Sequence, residues 1–190
     1  MNMYYNYKNG RDASWQALIK ADICEMPVDL KKVADAYDIQ IISFKEALKN
    51  KYVGKDKLDF NLTVKEIGKK RVVLVNADMD DKGALRYIMA KGLGYCIMAK
   101  NINTITKKDD YEANIFARDL LMPACVLYSM EIESSAEIAC VCNVNIEAAE
   151  KRAERMAELI KRKRFNAHPL ERQVAEQFDL FVNEYNYRKL

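Results

Sequence analysis

The sequence predicts an α+β fold: a small three-stranded, antiparallel-type sheet in the N-terminal half, packed on a mainly helical bundle. Two observations set the class. The β-branched runs all fall in the first 77 residues, and apolar residues at helical spacing fill almost everything after them. A third sets the size: half of the 190 residues are apolar, enough for a sizeable core. No repeat and no proline- or glycine-rich linker divides the chain. The expected organisation is a flexible arm over 1–12, a main domain over 13–130 and a helical C-terminal subdomain over 131–190 packed on it.

The arm is polar and tyrosine-rich. A helix is expected over 13–24, with Trp15, Leu18, Ile19 and Ile23 on one face. Asp29 is a suitable N-cap for the next helix, whose apolar face is Leu30, Val33, Ala34 and Tyr37. "IQIISF" (39–44) reads as a strand, and the lysine-rich stretch after it as a short helix or an exposed loop. "LDFNLTVKEI" and "RVVLVNA", joined by "GKK", read as a hairpin. Helices are then expected over 80–99 and 109–122, and Pro123 stands where a new helix can start. Ser134 or Ser135 can cap a short helix, and Asn145 a longer one. A last helix begins near Pro169.

Composition narrows the chemistry. The net charge is +3 with both signs interspersed, which does not demand a nucleic-acid partner. No stretch of about eighteen apolar residues exists, so no membrane span is expected. "MNMYYNYKNGRD" lacks the apolar core of a signal segment, and a cytoplasmic location is expected. The five cysteines match no paired zinc pattern and are expected to be buried, reduced thiols. There is one histidine, His168, so no site that needs two imidazoles can be built within one chain. His168 stands before Pro169 and is expected at a helix start or on the surface; catalysis by a Cys96–His168 pair lacks a third, orienting group.

The order of parts is itself informative. A helix is followed by "PVDLKKVADAYDIQIISF", a hairpin ending "VVLVNADM", then "RYIMAKGLGYCIM" and "YEANIFARDLLMP". Over roughly residues 14–160 this resembles the ImmA/IrrE family of metallopeptidase-like proteins. The more specific motif is Glu112-Ala113-Asn114 with Phe116-Ala117 and Leu120-Leu121-Met122-Pro123. The resemblance implies a zincin-like metallopeptidase core with a helical C-terminal part. It also implies H-E-x-x-H on the first motif helix and a third zinc ligand at Glu112. Family members cleave, or are proposed to cleave, helix-turn-helix repressors that control mobile elements or stress responses in bacteria.

This chain departs from that pattern at the metal. Lys91 stands at the first histidine, Gly92 at the catalytic glutamate and Tyr95 at the second histidine; Glu112 alone is retained. Residues four apart share a helix face, which is how two imidazoles meet one zinc. A protonated lysine has no acceptor, a phenol with a pKa near 10 is a poor ligand, and glycine cannot act as a base. No zinc and no other cofactor is expected. The vestigial cleft comprises Lys91, Tyr95, Glu112 and Asn114. Lys91 either pairs with Glu112, supplying the missing positive charge with Tyr95 donating to the same carboxylate, or lies in solvent. Gly92 and Gly94 either widen a cleft or allow close approach of a neighbouring element.

Residues 134–164 have the cadence of a helix-turn-helix, with Lys151, Arg152, Arg155 and "KRKR" (161–164) as its basic residues. Glu147, Glu150, Glu154 and Glu158 are interleaved and would repel phosphate, so a solvated helix packed on the core is the competing reading. The expectation is a pseudo-peptidase that binds a protein partner, such as a helix-turn-helix repressor. Its alternatives are a zinc-dependent peptidase that cuts the repressor and a DNA-binding regulator acting through 134–164.

Overall fold

The computed structural model describes residues 7–54, 60–163 and 165–189. Ten helices and three strands run in the order α1 (Tyr7–Lys20), α2 (Leu30–Ala36), β1 (Ile39–Ser43), α3 (Phe44–Lys49), β2 (Leu62–Ile67), β3 (Lys70–Val75), α4 (Lys82–Met98), α5 (Lys107–Leu121), α6 (Ala124–Ser129), α7 (Ser135–Cys142), α8 (Ile146–Lys161), α9 (Pro169–Gln177) and α10 (Asp179–Lys189), counted among the described residues. The architecture is α+β, as expected. None of the described helices is long and apolar enough to cross a membrane.

The sheet departs from the expectation. It is mixed, in the order β1-β3-β2, with β1 parallel to β3 and β2 antiparallel to β3. The β2–β3 hairpin turns at Gly68, whose φ of 65° favours glycine. A hairpin motif fixes only its own two strands. The direction of β1 is set by the long connection through α3, and a crossover of this kind is what parallel pairing requires. The run at β3 is apolar without alternation because both faces are covered. Val73 and Val75 enter the main core, whereas Val72 and Leu74 pack with Phe44 and Ala47 of α3.

Caps place most helices where the sequence puts them. Asp29 accepts from Lys31 and Lys32, Ser134 from Glu137 and Asn145 from Ala148. Pro123 precedes α6. Three boundaries differ. The helix expected over 13–24 ends at Lys20, so Ile23 is buried from the loop after it and not from a helix face. The last segment is two helices, broken at the fully buried Phe178. The expected arm is helical from Tyr7 onward; its first six residues lie outside the described set, as do residues 58 and 59 of the β2 run. The extra helical turns exist because they pack on α5. A Cβ built on Gly10 would lie 2.4 Å from the backbone oxygen of Glu112 and 2.9 Å from Cβ of Ile115.

That approach is testable. Gly10→Ala gains up to about 1 kcal/mol of helix propensity, but a backbone carbonyl in a packed helix cannot yield as a flexible side chain can. Overpacking of this kind costs about 1–3 kcal/mol. The expected outcome in urea denaturation is a lower midpoint at unchanged slope; a raised midpoint would show that α1 and α5 separate freely.

Candidate functional site

Two capped helices carry the site. Asp81 caps α4 by accepting from Ala84 at 2.8 Å. Thr106 and Asp109 form a reciprocal capping box at the start of α5. The helices approach closely at Gly94, where a Cβ would stand 3.0 Å from Phe116 and 3.2 Å from Cα of Ala113. On α4, Tyr87, Lys91 and Tyr95 are spaced four apart and form one stripe. On α5, Asp110 and Asn114 form the facing stripe.

The two stripes are joined through Asp110. Lys91 Nζ lies 2.8 Å from Asp110 Oδ1, and the Tyr95 hydroxyl donates to the same oxygen. Asn114 Nδ2 donates to the Asp110 carbonyl at 2.8 Å and to Oδ2 at 3.2 Å. One turn along, the Tyr87 hydroxyl donates to the Asn114 carbonyl at 3.1 Å. Burial pushes the Asp110 carboxyl up, but the bonds from Lys91 and Tyr95 and the lysine charge outweigh it and hold it below the ordinary carboxylate range. Burial, and then the bond to Asp110, push the Tyr95 phenol up, so it stays protonated and donating at neutral pH.

Neither of the two readings of Lys91 holds: it does not pair with Glu112, nor does it lie in solvent, and Tyr95 does not donate to Glu112. The reason is helical geometry. Residues two apart do not face the same way, so a helix that turns 110 and 114 toward α4 turns 112 away from it. Glu112 is 6% exposed and faces α1, where Asn9 Nδ2 donates to it at 2.9 Å. Lys108, four residues earlier on α5, stands 3.8 Å from the same carboxylate. Of the cleft residues expected from sequence, Lys91, Tyr95 and Asn114 meet, Glu112 does not, and Asp110 takes the central place. Two facing i,i+4 pairs, 91/95 and 110/114, were the available signal.

Gly92 does not widen the cleft. A Cβ there would lie 2.4 Å from Val73 Cγ1 and 3.0 Å from Leu62 Cδ1, so the sheet fills the space that a side chain would need. Beside it, Leu62, Thr63 and Val64 of β2, Lys91, Tyr95 and the 102–105 segment line an open groove of about 480 Å³. No group of three or more His, Cys, Asp or Glu side chains is placed to hold a metal among the described residues.

The other candidates fall elsewhere. His168 caps α9, its Nδ1 accepting from Leu170 N at 3.3 Å, and its ring lies 5.2 Å from that of Trp15. Burial pushes the Cys96 thiol up to about 12, with Arg71 opposing, so little nucleophilic thiolate exists at neutral pH. Cys96, Cys125 and Cys142 are buried, whereas Cys24 and Cys140 are exposed, against the expectation for all five. Cys24 lies in the loop after α1, and Cys140 on the outer side of the short α7.

The helix-turn-helix cadence is real as backbone: α7 ends at Asn143 with φ 50°, and α8 starts at Asn145. Its basic residues are differently engaged. Arg152 is 1% exposed and pairs with Asp119 at 2.8 Å, and Lys151 pairs with Glu147 at 2.7 Å. Arg155 lines a cavity between α1, α5 and α8, and Arg164 of the basic run lies outside the described residues.

No family model matches the chain, and no match to it was found among curated proteins.

A double-mutant cycle checks the geometry. Lys91→Met with Asp110→Asn is expected to show a coupling of about 1 kcal/mol, since the lysine is largely covered and the pair shares hydrogen bonds. Lys91→Met with Glu112→Gln is expected to add within about 0.5 kcal/mol. The pH dependence has a definite sign. Because the folded Asp110 pKa is depressed, its contribution is full above the ordinary value near 4 and is lost as pH falls through the folded value. Asp110→Asn should flatten that acid limb in denaturation curves measured below about pH 4.

Proposed function

We propose that the chain is a catalytically inactive metallopeptidase-fold protein of the ImmA/IrrE type. It acts in the cytoplasm by binding a protein partner, a helix-turn-helix repressor, without cutting it. The observation that carries the reading is the closed Lys91–Asp110–Tyr95 cluster. It occupies the two positions at which the family holds zinc, with an ammonium bound to a carboxylate and a protonated phenol in place of acceptors. Gly92 supports the same reading, because it supplies no base to activate water.

The groove suggests how a partner is held. β2 is an edge strand of the sheet, and its Leu62, Thr63 and Val64 form one wall. An extended segment can add to such an edge, with main-chain bonds giving affinity and alternate side chains giving selectivity. Tyr95, Ile102 and Ile105 offer apolar surface opposite, and Lys91 and Asn103 offer polar groups.

The test uses the purified chain and the product of a neighbouring gene, if that gene encodes a helix-turn-helix repressor. The expected outcome is co-elution of the two, with the repressor intact after prolonged incubation and less than about 0.1 zinc per chain by elemental analysis. Ile105→Arg, which places a charge in the groove, should weaken binding about tenfold, or ~1.4 kcal/mol. Stoichiometric zinc with chelator-sensitive cleavage would establish the peptidase instead. A steeply salt-dependent gel shift would establish the DNA-binding regulator acting through residues 134–164.

A further inference from the structure

A second cavity lies away from the groove and shares no lining residue with it. It lies among α1, α5, α8 and the start of α9, partly open to solvent, and its volume is about 320 Å³. Six cations line it, against two carboxylates, Asp119 and Glu171; of the six, Arg162 pairs with Glu158 at 3.1 Å and Lys8 is also engaged. The carboxylates do not neutralise it. Asp119 is already shared between Arg118, at 2.8 and 3.1 Å, and Arg152, at 2.8 Å. Glu171 accepts from the Ala167 backbone N–H at 3.2 Å.

Two arginines retain unused donors. Arg152 is 1% exposed and bonds Asp119 through Nη1, yet its Nε and Nη2 are buried without a partner. Buried donors are almost always satisfied, and a charged group left partly unsatisfied calls for a missing acceptor. Arg155, one turn further along α8, has no ion-pair or hydrogen-bond partner among the described residues. Arg11 is preset on the opposite wall: its guanidinium lies 4.6 Å from the Trp15 ring centroid and bonds Asp12 at 2.7 and 2.8 Å. Stacking of this kind fixes the planar fork before a ligand arrives.

We propose that this cavity is an anion site that takes the phosphate group of a small molecule, with Arg152 and Arg155 as its principal donors and Arg11 facing them. Guanidinium forks match phosphate oxygens in pairs, and several line this cavity from three helices, α1, α5 and α8. The volume is at the lower end for ligand pockets, which suits a free phosphate or one mononucleotide rather than a polymer. Its arginines include the two that the helix-turn-helix reading assigns to an outward-facing helix.

The experiment is isothermal calorimetry on the full chain at constant ionic strength, with inorganic phosphate, adenosine monophosphate, adenosine and a ten-nucleotide single strand as probes. Saturable binding of phosphate or the mononucleotide, and none of adenosine, is the expected result; which of the two binds tighter identifies the source of the group. Arg155→Gln should weaken that binding at least tenfold while leaving the unliganded melting temperature unchanged, and Arg155→Lys should restore part of it. Arg152→Met also breaks the Asp119 pair, so Arg155 carries the test if that variant does not fold. No binding of phosphate or mononucleotide at millimolar concentration, binding that Arg155→Gln leaves unchanged, or binding of the strand alone would each overturn the assignment.

Discussion

The fold depends on how closely α5 is approached from two sides. Gly10 brings α1 to the backbone of α5 near Glu112, and Gly94 brings α4 to it at Ala113 and Phe116. An ordinary side chain at either position would hold the helices apart. Close approach packs Ala113, Phe116, Ala117 and Leu120 without gaps, and all four are fully buried. Dispersion is short-ranged, so a fraction of an ångström of separation there would forfeit much of it. The polar groups of α5 are then sorted by default: 110 and 114 meet α4, and 112 meets α1.

That sorting decides the chemistry. An ammonium, a phenol and an amide all donate, and Asp110 is the one acceptor they share. Each bond satisfies a group that would otherwise be expensive to cover, and the cluster is close to neutral as a whole. It is a stable end state for these side chains and a poor starting point for acid–base catalysis, because the Asp110 carboxyl is held down and the Tyr95 phenol is pushed up, both away from neutral pH. The Asp119–Arg118–Arg152 cluster on α5 and α8 is the contrasting case, with cations in excess and donors left over.

Much of the fold was legible because its signals are local. Asp29, Ser134 and Asn145 are caps whose mechanism spans three residues, and the amphipathic period of α5 and α8 needs only the residues of one helix. Features that depend on a distant partner were not legible. The parallel pairing of β1 with β3 depends on a crossover, and the helical state of residues 7–12 depends on α5. The site divided in the same way. The i,i+4 relation of Lys91 and Tyr95 could be read directly, whereas their acceptor lies on another helix, whose facing is set by its packing at Gly94 and Gly10. The basic cavity draws residues from positions 7 to 171, and no window of sequence contains it.

The contact of Gly92 with Val73 ties together two positions on different elements. A side chain at 92 and the full valine at 73 exclude each other, so the two positions are epistatic. A larger residue can enter at 92 only after volume has left β3 or β2, so the glycine is held in place by Val73 and Leu62 across the sheet.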